Sequence, residues 1–268
     1  MYFCQTMQKI PFCKYQGAGN DFILIDNREG KQTYSGVDFS RNLCDRRFGI
    51  GADGLIFINY HKEFDFDMQF YNPDGTQSFC GNGARCAVAF YSFLTGRKGQ
   101  FVFSAYDGKH SAYLLENGMV CLEMNDVSEI IEHSENSYEL YTGSPHLIKF
   151  EPDIVSLDVK KEGSKIRYSD KYVEKGINVN FVQVIPNNEL SIRTYERGVE
   201  EETLACGTGI TAAALAFAKS VKLSGSQRIL VHSRGGALNV EFDIQENSFI
   251  NIILEGPASY VFKGEIHI

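Results

Sequence analysis

The residues CGNGARCAVAF (80–90) and CGTGITAAALAF (206–217) decide how this sequence is read. Each sets Cys-Gly-polar-Gly ahead of a small, apolar stretch with the i, i+3, i+4 spacing of a helix. The two cysteines lie 126 residues apart (from 80 to 206), close to half of a 268-residue chain. Each copy follows a strand-like run and a polar turn, MQFYNPDG (68–75) before the first and SIRTYERG (191–198) before the second. The repeated order reads as a duplication, with two similar domains that each hold a central helix. The polar run NDVSEIIEHSENS (125–137) is the expected boundary. It separates residues 1–127 from 128–257, with the last strand, 258–268, returning to the first half.

The rest of the chain is rich in strands. NDFILID (20–26) and GLIFINY (54–60) are short apolar runs, and EFDFDMQFYN (63–72) alternates between Phe or Met and polar residues. FVFSAY, AYLLENGMVCLEM, INVNFVQVI, RILVHS, ALNVEFDI and FINIILEG continue the pattern, and Asn117-Gly118 marks a hairpin. Helical spacing is confined to VDFSRNLCDRR (37–47) and the two stretches after the Cys-Gly motifs. The expected class is α+β: two pseudo-symmetric domains, each a mainly antiparallel, barrel-like sheet wrapped around a central helix.

Composition narrows the function. A net charge of −8 with no basic cluster argues against nucleic acid or an anionic membrane as partner. No apolar run approaches the ~18 residues of a membrane helix, and the start of the chain has no secretory pattern. Seven cysteines, an odd number without any CxxC pair, disfavour a disulfide framework or structural zinc and point to a reducing cytoplasm. The six histidines show no HxxxH or HExxH spacing, so no metal site is expected.

Chemistry concentrates at the repeated motif. A cysteine at a helix start sits where N–H groups point outward and the dipole favours negative charge, which lowers a thiol pKa and suits a carboxylate ligand. Glycines let backbone approach that ligand. One such motif reads as well as a buried cysteine in a tight turn; two at matching positions argue for function. Asn72, in the turn before the first motif, and Glu196-Arg197, before the second, are candidate ligand contacts, since Arg holds carboxylates and Glu accepts an ammonium. FGIGADG (48–54) contains GxGxxG, but a helix-like stretch precedes it and a strand follows, the reverse of a dinucleotide-binding fingerprint. Asp65 and Asp67 read as the polar face of a strand. His146, after Gly143-Ser144-Pro145, is the histidine retained as a candidate.

These motifs together resemble the diaminopimelate epimerase family nearly end to end: GAGNDFILID, LCDRRFGIGADG, NPDGTQSFCGNGAR, GSPH, INVNF, YERGVEEETLACGTG and EGPASYVFKG. The resemblance implies an isomerase of lysine and amino-acid biosynthesis that uses no pyridoxal phosphate or other cofactor. Cys80 and Cys206 would be its two catalytic thiols. Gly81, Asn82, Gly207 and Thr208 would donate N–H groups to the substrate α-carboxylate. Asn20, Asn72, Ser144, Asn178, Glu196 and Arg197 would bind substrate, and His146 with Glu196 would tune the thiols. The implied partner is the small molecule diaminopimelate, and a homodimer is left open because an interface Tyr of some members aligns with Phe262.

There are departures from the family pattern. The loop between Thr76 and Cys80 is one residue short, and Ser144 stands where Asn is frequent. Gly54 falls at or near a substrate-contacting Gln of some members, and Met7 is a candidate start residue. A proline or hydroxyproline racemase with the same two-thiol logic is the alternative, and a non-catalytic or redox-switching descendant is the reading from another class.

Overall fold

In the computed structural model, described over residues 9–30, 37–246 and 248–267, the chain divides into two units. One comprises the described residues up to Val120 together with those from Ala258 onward; the other is Cys121–Pro257. Met7 lies outside the described residues. The polar run at 125–137, expected as the boundary, is instead built into the second unit. Met124 N–H donates to Ile252 O at 2.8 Å, and Val127 and Phe249 exchange backbone hydrogen bonds at 2.8 Å each. Ile130–Ser134 and Ser137–Tyr141 then pair as a hairpin.

The first unit starts with Lys9–Gly17 antiparallel to Asn20–Asn27. A crossover carrying helix α1 (Val37–Cys44) leads to Gly54–Asn59, parallel to Asn20–Asn27 and antiparallel to Phe66–Tyr71. Helix α2 (Gly81–Thr95) follows, then Gly99–Ala105, parallel to Phe66–Tyr71 and antiparallel to Gly108–Leu114. The closing strand, Ser259–His267, pairs antiparallel with Lys9–Gly17. Strands from both ends of this unit pack on α2, so nine of its fifteen residues are buried. At its far end Gly96 takes the left-handed conformation (φ 70°) and returns its N–H to Ser92 O, the usual glycine stop.

The second unit repeats this order. Ser137–Tyr141 is antiparallel to Pro145–Phe150, which is parallel to Asn178–Ile185, itself antiparallel to Glu189–Glu196. Helix α4 (Gly207–Ser220) follows, then Gly225–Ser233, parallel to Glu189–Glu196 and antiparallel to Gly236–Gln245. Every residue of α4 from Gly209 to Ala218 is buried, because its alanines let backbone approach sheet closely. Each half is therefore mainly antiparallel around a central helix, with two parallel pairings at equivalent places.

Helix α3 (Val159–Arg167), which the spacing did not predict, is the counterpart of α1 in the second unit's crossover. Its sequence, VKKEGSKIR, buries only Val159 and Gly163, too little apolar surface for a visible stripe. Asp158 caps it by accepting Lys161 N–H at 3.0 Å, and Gly163 seats against the Tyr195 side chain. Helix α1 is shorter than VDFSRNLCDRR: beyond Cys44, the Asp45 carboxylate accepts the N–H groups of Arg47 and Phe48 at 2.7 Å each and turns the chain.

The glycines of FGIGADG serve this turn. A Cβ on Gly49 would sit 2.1 Å from Asn42 O, and Gly51 has φ +80°. The loop lies against the end of α1, with a helix before it and a strand after it. Gly54 has no room for a side chain either, since a Cβ there would lie 2.2 Å from the Phe70 ring. Asp65 accepts Val102 N–H and pairs with Arg97, while Asp67 accepts the Ser104 hydroxyl at 2.5 Å, so both brace neighbouring strands. Among the described residues no group of three His, Cys, Asp or Glu could hold a metal, and no helix is long and apolar enough to cross a membrane.

Candidate active site

Cys80 and Cys206 are the N-cap residues of α2 and α4, with nearly the same backbone: φ −129°, ψ 112° and φ −116°, ψ 110°. Their carbonyls accept the first intrahelical bonds, from Ala84 N–H at 2.8 Å and Ile210 N–H at 2.9 Å. Gly81 and Asn82, like Gly207 and Thr208, thus open their helices with N–H groups directed out of the N-terminus. The repeated sequence has produced a repeated local structure.

In the first unit, Cys80 Sγ accepts Gly83 N–H at 3.4 Å and meets Asn20 Oδ1 at 3.8 Å. Asn20 is oriented from behind, because its Nδ2 donates to Asp53 Oδ2 at 2.7 Å. Asp53 in turn joins a cluster in which Arg46 bridges Asp21 and Asp53, and the buried Lys14 ammonium pairs with Asp21 at 2.8 Å and Gly51 O. Burial pushes the Asp21 carboxyl up, but hydrogen bonds from Arg46 and Lys14 outweigh it and hold its pKa at about 2. Asn82 donates to Asn20 Oδ1 at 3.3 Å and accepts from the fully buried Arg85 at 2.8 Å. Asn72 lies in the loop just before, its amide donating to Thr76 and Ser78. These bonds tie the two sides of the loop together.

In the second unit, Cys206 is 8% exposed and Thr208 Oγ1 lies 3.5 Å from its sulfur. His146, wholly buried on Pro145–Phe150, places Nε2 2.9 Å from the same hydroxyl. It reaches the thiol through Thr208. Burial and the Arg197 charge pull the His146 pKa down to about 3, so the ring is neutral. Asn178 links two other expected residues: its Nδ2 donates to Ser144 Oγ at 2.8 Å, and its Oδ1 accepts Arg197 N–H at 2.9 Å. Glu196 accepts the Thr203 hydroxyl at 2.8 Å, and the exposed Arg197 side chain reaches Lys175 O at 3.1 Å.

Sequence reasoning missed Asp53, Thr142, Asn180 and Thr194. Thr142 Oγ1 donates to Thr208 O at 2.8 Å, and Thr194 Oγ1 to Asn180 Oδ1 at 2.9 Å. A signal existed in INVNF, where two asparagines alternate on one face of an otherwise apolar strand. Burial pushes the thiols of Cys13 and Cys86 up and raises those of Cys44 and Cys121 to about 11, holding all four protonated at neutral pH.

The model of the family described as "Diaminopimelate epimerase" matches residues 12–129 and 138–261. The chain belongs to the diaminopimelate epimerase family. It is 49% identical over 254 residues to the diaminopimelate epimerase of Flavobacterium psychrophilum, covering 94% of this chain and 98% of that one. It is 42% identical to that of Chlorobaculum tepidum, covering 93% and 98%. Among solved structures, a phenazine biosynthesis protein of the PhzF family from Bacillus anthracis superposes with a TM-score of 0.73 at 15% identity, covering 98% of this chain and all of that one. A hydroxyproline epimerase from Agrobacterium vitis gives 0.67 at 13%, covering 100% and 94%. At such identities the likeness concerns the fold, and it extends the diaminopimelate epimerase architecture beyond the family.

Proposed function

We propose that this chain interconverts LL-2,6-diaminopimelate and meso-diaminopimelate, in lysine and peptidoglycan precursor synthesis, by a two-base mechanism that needs no cofactor. The observation that carries the reading is the pair of cysteines capping two helices with matched backbone geometry, one in each half of a chain of this family.

The difficulty is a carbon acid: an amino-acid α-proton is far less acidic than any side chain. One cysteine, as thiolate, takes the α-hydrogen as a proton, and the C–H electron pair moves into the carboxylate to give an enediolate-like intermediate. The other cysteine delivers its S–H proton to the opposite face, so configuration inverts and the second sulfur is left as the thiolate. N–H groups of Gly81, Asn82, Gly207 and Thr208 stabilise the developing charge, worth several kcal/mol (on the order of 3) per well-placed donor. In the reverse direction the thiols exchange roles.

The distant end of the substrate is a second amino acid. Arg197, Asn178 and Ser144, linked by the Asn178 amide, and Asn72 suit its carboxylate, and Glu196 its ammonium. Thiol chemistry needs reduced cysteines, which suits the cytoplasm. Tyr260, Val261 and Phe262 expose apolar surface on the closing strand, and a homodimer through it is checked by light scattering.

The test follows LL-diaminopimelate by NMR in D₂O with reduced protein and no added cofactor. Deuterium at the α-carbon together with meso product is expected, with loss of turnover in Cys80→Ala and Cys206→Ala. Folded, reduced protein giving neither exchange nor product rejects the reading.

A further inference from the structure

We propose that Asn180 is a positioning residue that locks His146 as its Nε2–H tautomer, so that the Thr208 hydroxyl is directed at Cys206 and stabilises the thiolate form of that sulfur. The inference rests on the two-thiol reading above and names what tunes one of the two thiols.

The argument counts donors and acceptors. Asn180 is wholly buried on Asn178–Ile185, and its Nδ2 lies 3.1 Å from Leu147 O. A carbonyl only accepts, so the NH₂ end of the amide faces that way. The Oδ1 end correspondingly accepts the Thr194 hydroxyl at 2.9 Å. The second hydrogen of the same NH₂ points at His146 Nδ1, 3.1 Å away. An amide NH₂ cannot accept, so Nδ1 carries a lone pair and the ring proton of the neutral imidazole sits on Nε2.

From there the direction propagates. Nε2–H donates to Thr208 Oγ1 at 2.9 Å, and the single hydroxyl hydrogen goes on to Cys206 Sγ at 3.5 Å. Thr208 is itself held by Thr142, which donates to its carbonyl. The packing leaves little freedom, since a Cβ on Gly209 would come within 2.5 Å of Asn180 Oδ1 and 3.2 Å of His146 Cε1. The side chains that meet His146 from neighbouring elements, Asn180 and Thr208, are neutral. Arg197 is the charge whose field reaches the ring, and it disfavours an imidazolium.

Cys80 has different surroundings: its sulfur accepts Gly83 N–H at 3.4 Å and meets Asn20 Oδ1, which Asp53 orients through the Asn20 Nδ2. A change at Asn180 or Thr208 therefore reads out at Cys206, with Cys80 as the internal reference.

Two readouts test this without substrate, so their outcome is separable from that of the epimerase reading. In protein labelled with ¹⁵N-histidine, His146 Nδ1 should resonate as a lone-pair nitrogen in the wild type. It should change to a protonated one in Asn180→Asp, whose carboxylate accepts from the ring. Peptide-resolved alkylation across pH gives a midpoint for each of the two thiols. Asn180→Leu should raise the Cys206 midpoint by about one pH unit, as expected for losing one hydrogen bond to a thiolate, and leave Cys80 unmoved. Should the Asn180 variants not fold, Thr208→Val removes the last link and carries the same expectation for Cys206. A protonated Nδ1 in the wild type, or a Cys206 midpoint unchanged in Thr208→Val, overturns the proposal.

Discussion

The buried imidazole of His146 makes the protein acid-sensitive in a window set by a single group. Its pKa is about 3 in the folded chain against an ordinary 6.5, because burial and the Arg197 charge both disfavour the imidazolium. The folded state refuses a proton that the unfolded chain binds below 6.5. The associated stability is therefore complete above that value and is lost as pH falls toward 3. Between pH 7.5 and 5 the linkage amounts to about 2 kcal/mol, a figure that changes little for any folded pKa well below 5. His146→Gln removes the titration. At pH 7.5 the variant should be less stable by about 1–3 kcal/mol, having disturbed a buried hydrogen-bond chain. On acidification to pH 5 the wild type should lose about 2 kcal/mol more than the variant, so the gap narrows. Urea unfolding followed by circular dichroism at pH 7.5, 6.5, 5.5 and 5.0 measures this. Parallel pH dependence of the two proteins would refute the neutral, buried imidazole, and with it the tautomer argument.

Other perturbations test other parts of the structure. Asp21→Asn leaves the Lys14 ammonium buried beside Gly51 O without its carboxylate partner, at a cost of about 3–5 kcal/mol in urea unfolding at pH 7. Asp21 has its folded pKa lowered to about 2. The gap to wild type should thus be constant above pH 5 and smaller by about 1 kcal/mol at pH 3; a pH-independent gap counts against the ion cluster. Gly163→Ala places a Cβ 2.4 Å from Tyr195 Cβ and should lower stability by about 1–3 kcal/mol despite the better helix propensity of Ala. An unchanged melting temperature would mean that α3 does not pack on Tyr195 as described. Arg197→Met should raise KM for diaminopimelate about 10–100-fold, the worth of a charged hydrogen bond, while thiol alkylation persists. Near-normal substrate dependence would remove Arg197 from the substrate site.

Much of this protein was legible before any coordinates. The duplication followed from two Cys-Gly-polar-Gly motifs half a chain apart, and the N-cap placement of Cys80 and Cys206 followed from glycine freedom and helix-terminus chemistry, which are local. Even α3 was implied by the repeat, since α1 occupies the equivalent crossover. It went unseen because VKKEGSKIR is helical through its Asp158 cap and its seat on Tyr195 rather than through an apolar stripe. The polar run at 125–137 looked like a linker because strand pairing by polar residues leaves no periodic signature.

What only the tertiary structure decided is which polar atoms meet. Asn180 reads as one more residue of a strand, yet the parallel register of Asn178–Ile185 with Pro145–Phe150 sets its amide against His146 and Leu147. Asp53 reads as part of a glycine-rich loop, yet it orients Asn20 toward Cys80. Residue types and their spacing along the chain determine local conformation and the inventory of reactive groups. The direction of a hydrogen bond depends on partners 34 or 60 residues away in sequence, and only folding brings those together.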